Sequence, residues 1–158
     1  MDGDTLKLLY LEDSPMDAML ALRMVEGQGL IADWTVVGDE QAYREALNDR
    51  WDVILLDYNL PGYSGMEALA LAKEVVPRVP VVFLSGSIGE EQAVECITAG
   101  ATDYVLKDKA YRLGPVIQRA IIEAETKVAR LKAEEQVRID LARMERALDG
   151  AIRAMTAT

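Results

Sequence analysis

The chain has 158 residues, a net charge of −10, 51% hydrophobic residues, one cysteine and no histidine. That length supports one real hydrophobic core. The counts exclude an internal disulfide, a His/Cys metal cage, a Ser-His-Asp triad and a histidine phosphodonor, so any histidine in the mechanism must belong to a partner.

The excess acidity is local. Residues 1 to 122 carry 10 Lys+Arg against 20 Asp+Glu, whereas residues 123 to 158 carry 7 against 7. An acidic front of this kind repels phosphate backbones and argues against nucleic-acid binding by this chain. No apolar stretch approaches the length of a bilayer span, and Met1-Asp2-Gly3-Asp4 is unlike a secretory signal. A cytoplasmic protein with no membrane partner is therefore expected.

In chain order, Leu6 to Leu11 reads as a first strand and Pro15 to Glu26 as a helix, with Ser14 as its cap and Pro15 at its first position. Ala32 to Val37 follows as a strand and Asp39 to Asp49 as a helix. Asp52 to Asp57 is the third strand, Ser64 to Val76 a helix, Val81 to Ser85 the fourth strand and Glu90 to Ala99 the fourth helix. Gly100 stops that helix, Asp103 to Leu106 makes a short fifth strand, and a last helix starts between Tyr111 and Pro115. Five β-then-α units predict an α/β fold with a doubly wound, five-stranded parallel sheet.

From Pro115 no proline or glycine interrupts the last helix until Gly150. Its apolar residues Ile117, Ile121, Ala124, Val128 and Leu131 recur in steps of four and three, the spacing of a coiled-coil seam, and the pattern returns at Leu141, Met144, Leu148, Ile152 and Met155. Glu123 with Lys127, Glu134 with Arg138 and Asp149 with Arg153 stand as acid-before-base pairs four apart. A helix of about 40 residues is about 60 Å long, more than a domain of this size can cover. The expected division is therefore a domain over 1–122 and an extended helical linker over 123–158 that pairs with a second copy. The helix folding back on its own domain is the alternative.

The chemistry sits at strand ends. Apolar runs stop at Glu12-Asp13, at Asp57, at Ser85 and at Lys107. In open parallel sheets ligands bind beyond the carboxyl ends of the strands, so these side chains converge at one edge. An aspartate can accept a phosphoryl group as a nucleophile, but carboxylate and phosphoryl repel each other, and positive charge must be supplied. Asp13 and Asp57, with Glu12 behind, make a credible Mg²⁺ site. Lys107 supplies a second cation, and the Ser85 hydroxyl can bond a phosphoryl oxygen. Read singly, Asp13 fits a first-turn helix acid, Ser85 a loop hydroxyl and Lys107 a surface charge; their common position lifts them together. Cys96, Trp34 and Trp51 read as packing residues.

Leu8-Leu9-Tyr10-Leu11-Glu12-Asp13, Leu55-Leu56-Asp57-Tyr58-Asn59-Leu60-Pro61-Gly62 with Gly65, Phe83-Leu84-Ser85-Gly86 and Asp103-Tyr104-Val105-Leu106-Lys107 resemble the receiver domain of two-component response regulators. The resemblance covers about residues 5 to 122. It implies a flavodoxin-like strand order 2-1-3-4-5, with Asp57 as phosphoacceptor. Glu12, Asp13, Asp57 and the Asn59 backbone carbonyl would serve Mg²⁺, and Ser85 and Lys107 would bind the phosphoryl group. Ser85 and Tyr104 would form a switch pair. It further implies a bacterial sensor histidine kinase as partner, and self-phosphorylation and autodephosphorylation rather than turnover of a substrate. Proline usually follows the lysine in this family, whereas Asp108 stands here.

Two other readings stay beside it. A haloacid-dehalogenase-like phosphohydrolase would need a second aspartate two residues after the nucleophile, where Asn59 stands and cannot exchange a proton. A pseudo-receiver would dimerise through its helix without carrying phosphate. The chain's end in mid-helix suggests a longer protein with a downstream effector. Residues 145–155 resemble the linker helix before HD-GYP phosphodiesterase domains, with diguanylate cyclases and kinases as rivals.

Overall fold

The computed structural model describes residues 5–157; the acidic segment Met1 to Asp4 and Thr158 lie outside it. Five strands, β1 (Leu6–Leu11), β2 (Ala32–Val37), β3 (Val53–Leu56), β4 (Val81–Ser85) and β5 (Asp103–Leu106), form one all-parallel sheet in the order 2-1-3-4-5. The expected architecture is present. Helices α1 (Pro15–Gly27), α2 (Glu40–Ala46), α3 (Gly65–Val75), α4 (Glu90–Thr98) and α5 (Leu113–Thr156) connect and follow the strands.

Because side chains alternate across a strand, each central strand feeds two cores. Leu8, Tyr10, Val53, Leu55, Val82 and Leu84 face Ala18, Ala21 and Val25 of α1 and the start of α5. Leu9, Leu11, Ile54, Leu56, Val81 and Phe83 face α2, α3 and α4. Edge strand β2 instead alternates in exposure from Ala32 to Thr35, and Val36 is exposed as well.

Helix starts follow local chemistry. Ser14 accepts from the Asp17 amide at 3.3 Å, Asp39 from the Ala42 amide at 2.8 Å, and Ser64 and Glu67 form a reciprocal capping box at 3.1 and 3.0 Å. The second helix stops at Ala46 rather than Asp49: the Trp51 indole N–H takes the Ala46 carbonyl at 2.7 Å, and Leu47 to Asp49 turn off it. Two elements escaped the sequence reading. Asn59–Leu60 and Tyr63–Ser64 pair as a small hairpin around Pro61-Gly62, with Gly62 at φ 73°. Lys107–Arg112 forms a 3-10 turn, and no cis peptide occurs among the described residues, so the Lys107–Asp108 bond is trans.

The chain divides into two compact units, Met1–Ala124 and Glu125–Thr158. In the first, Ile117 is fully buried in the core beside Leu113, Val116 and Ala120, and Ile121 packs against them. The first two positions of the expected seam are therefore domain core. Steps of three and four mark an apolar face without saying what it meets. The acid-base pairing also differs: Glu123 pairs with Arg119 and Glu134 with Arg130, each at 3.7 Å, and Arg138 pairs with Glu135. In the second unit every described side chain from 129 to 157 is exposed. No helix among the described residues is long and apolar enough to cross a membrane.

Candidate functional site

Parallel pairing brings the ends of β1, β3, β4 and β5 to one edge. The ladder extends past the strands proper: the Glu12 amide donates to the Val37 carbonyl at 2.9 Å and the Asp57 amide to the Leu11 carbonyl at 3.1 Å. Both acids are thereby fixed by backbone, and both are buried, at 3% and 5% exposure. Asp13, next along the chain, is exposed. Glu12, Asp13 and Asp57 each present a carboxylate oxygen within 4.8 Å of the others. Oxygen-only donors this close suit a hard divalent cation, so the cluster can hold a metal ion. Asn59 lines the open groove beside it with Asp13, Tyr58, Leu60 and Pro61.

Burial of a carboxylate must be compensated, and the contacts show how. Asp57 Oδ1 accepts from the Asn59 amide at 3.2 Å, and Glu12 Oε2 accepts from the Ser14 amide at 3.2 Å. Glu12 Oε1 accepts from the Tyr10 hydroxyl at 3.3 Å and from Lys107 Nζ. Burial pushes the Glu12 carboxyl above the usual range; its bond to Lys107 works against this and the Asp57 charge adds to it. Burial likewise raises the Tyr10 phenol, reinforced by the Glu12 and Asp57 charges, so Tyr10 stays protonated and donates.

Lys107 Nζ meets three carboxylates: Glu12, Asp17 at 2.7 Å and Asp57 at 3.4 Å. Burial opposes its charge, but the bonds to Asp17 and Glu12 and the Asp57 charge outweigh it, and its pKa lies above the ordinary lysine value. It stays an ammonium. Asp17 was missing from the sequence-derived set. Its signal was its place in the first turn of α1, four residues past Asp13, but nothing in the sequence pairs that turn with Lys107.

Ser85 ends β4 at 1% exposure, and its hydroxyl donates to the Ser87 carbonyl at 3.3 Å. Tyr104 is half-buried on β5, in register with Phe83 of β4, and packs against the α3 and α4 core face. Ser85 thus stands at the site edge, opposite Leu106, whereas Tyr104 lies two residues back from that edge on the adjacent strand.

Residues 8–114 match the response regulator receiver domain family. The protein-glutamate methylesterase/protein-glutamine glutaminase of Azospirillum brasilense is 32% identical over 113 residues, covering 70% of this chain and 29% of that protein. The chain thus spans less than a third of that relative's length. Among solved structures, the receiver domain of a sensor histidine kinase from Pseudomonas aeruginosa PAO1, with magnesium coordinated in its active site cleft, is 31% identical with a TM-score of 0.63, covering 74% of this chain and 98% of that one. The Mn(2+)-bound form of response regulator Rcp1 is 25% identical with a TM-score of 0.62, covering 70% of this chain and 91% of that one.

Proposed function

Since the chain belongs to the response regulator receiver domain family, we propose that it accepts a phosphoryl group on Asp57 from the phosphohistidine of a sensor kinase or from a small phosphodonor. A carboxylate oxygen of Asp57 attacks phosphorus, the bond from phosphorus to the donor's nitrogen or oxygen breaks, and an acyl phosphate forms. Later attack by water on phosphorus returns the carboxylate and releases inorganic phosphate. The observation that carries this reading is the buried Asp57 carboxylate with Lys107 Nζ at 3.4 Å and two further acids within 4.8 Å.

Glu12, Asp13 and Asp57, with the Asn59 carbonyl as the family resemblance implies, would hold a magnesium ion. When bound, that ion supplies the positive charge that offsets the crowding of carboxylate and phosphoryl oxygens. Lys107 is the protein's own contribution of charge, and it can give a donor to a phosphoryl oxygen. The Ser85 hydroxyl reaches the phosphoryl group by giving up its bond to the Ser87 carbonyl, and Tyr104 turns inward with it. That exchange is the switch.

Residues 1–122 would be the receiver and residues 123–158 a helical linker that pairs with a second copy and carries the switch to an effector. Exposed Leu141, Met144, Leu148, Ile152 and Met155 support the pairing. Sedimentation of the full chain tests it: a dimer is expected for the wild type and a monomer for Leu141→Glu with Leu148→Glu, and a monomeric wild type would refute it.

Intact mass after incubation with acetyl phosphate and Mg²⁺ tests the phosphoacceptor. We expect the mass of one phosphoryl group on the wild type and none on Asp57→Asn. Labelling of that variant to the wild-type extent would overturn the assignment, and no labelling of the wild type would overturn it in favour of a dimerising adaptor.

A further inference from the structure

Lys107 is followed by Asp108, so no proline ring stiffens the 3-10 turn Lys107–Arg112 that carries the ammonium, and Lys109 inside it departs from helical dihedrals (φ −118°, ψ 33°). The restraints come from the first helix and its cap. At the start of the turn, Asp17 Oδ2 accepts from Lys107 Nζ at 2.7 Å, closer than Asp57 Oδ2 at 3.4 Å. At its far end, Gln28, the residue after α1, uses both ends of one amide. Its Nε2 donates to the Tyr111 carbonyl at 2.6 Å and its Oε1 accepts from the Gly114 amide at 2.8 Å. The second bond satisfies one of the amides that a helix start leaves without an intrahelical partner. Gly114 permits the approach, because a Cβ there would collide with the Gln28 side chain.

We propose that Asp17 and Gln28 are positioning residues for Lys107: the first helix grips the Lys107–Arg112 turn at both ends and so sets where the ammonium stands beside Asp57. The functional part rests on the reading of Asp57 as phosphoacceptor; the positional part does not. An ammonium has three donors and no acceptor. Here Glu12, Asp17 and Asp57 take one each. Without Asp17 one donor loses its anchor and Nζ swings between Glu12 and water. Without Gln28 the turn loses its tether at Tyr111 and the restraint on the first turn of α5. The Asp17 side chain is 40% exposed, so water competes for its bond and the effect is graded rather than total.

The test uses the full chain with Asp17→Asn and Gln28→Ala, each read two ways. Without metal, NMR of the Lys107 ammonium measures proton exchange, which should be at least threefold faster in each variant than in the wild type. With Mg²⁺ and acetyl phosphate, the maximal rate of phosphorylation should fall threefold to tenfold, while the half-saturating acetyl phosphate concentration shifts less than twofold. Asp17→Glu, which keeps the charge, should recover at least half of the lost rate. Unchanged exchange in both variants overturns the proposal whatever the rates do, including the case where only the urea midpoint falls. Faster exchange with wild-type rates removes its functional part. A wild type that gains no phosphoryl mass refutes the phosphoacceptor reading instead, and the exchange measurement still decides the positioning.

Discussion

Gly65 stands directly behind Asp57, and Gly65→Ala tests the closeness of that packing. Its amide donates to the Tyr58 carbonyl at 3.1 Å to open α3. A Cβ at this position would lie 2.5 Å from the Asp57 carbonyl oxygen, 2.8 Å from Phe83 Cε1 and 2.9 Å from Tyr58 Cα. Carbon contacts are comfortable at about 3.5–4.0 Å, so the peptide after Asp57 or the first turn of α3 must move by roughly 0.5–1 Å. Neither can do so freely. The Asp57 amide is bonded to Leu11, and the capping box of Ser64 and Glu67 pins the helix start. Overpacking of this kind costs about 1–3 kcal/mol, and two backbone neighbours put Gly65→Ala at the upper end, about 2–3 kcal/mol. With a urea dependence of about 1–3 kcal/mol per molar, the midpoint should fall by about 0.7–3 M. Trp34 and Trp51 both lie in the first compact unit, so tryptophan fluorescence reports its unfolding. Gly27→Ala is the control, since nothing lies within 4 Å of its Cβ, and it should leave the midpoint unchanged or raise it. Displacing the Asp57 backbone should also slow phosphorylation tenfold or more, because about 1 Å of misplacement is felt strongly in the transition state. A Gly65→Ala chain with the wild-type midpoint and phosphorylation rate would refute the reasoning.

Alkaline stability depends on Cys96, whose fully buried thiol is pushed up to about 11 by burial and then by the Glu95 charge. The folded state holds this proton more tightly, so the contribution is complete below the ordinary value near 9.0 and is lost as pH rises through about 11. At about 1.4 kcal/mol per pKa unit the loss is about 2–3 kcal/mol. Urea midpoints between pH 9 and pH 11 should therefore fall less in Cys96→Ala than in the wild type, and parallel curves would contradict this. Metal binding has its own reporter: Trp34 lies edge-on to the Tyr10 ring at 6.1 Å, and Tyr10 bonds Glu12, whereas the Trp51 indole bonds Ala46. Mg²⁺ should change the fluorescence of Trp51→Phe and not that of Trp34→Phe, and the reverse pattern would count against Glu12 as a ligand.

Much of this protein was determined by its sequence alone. Val53 to Leu56 and Val81 to Leu84 are wholly apolar because both faces of a central parallel strand are covered, and that signature needs no structure to read. Ser14 with Pro15, Asp39 and Ser64 mark helix starts because their side chains serve backbone within three residues, a purely local requirement. Strand ends are local too, so Glu12, Asp13, Asp57, Ser85 and Lys107 could be placed at one edge before any contact was seen. What each side chain touches there was decided only by tertiary structure. Lys107 meets Asp17 across 90 positions of chain. Gln28 meets Tyr111 and Gly114 across 83 and 86. Ser85 turns to the Ser87 carbonyl, and Ile117 and Ile121, spaced like a coiled-coil seam, pack into the domain core. Periodicity specifies an apolar face and chemistry specifies a donor, but the surface that covers the face and the acceptor that takes the proton exist only once distant segments have packed.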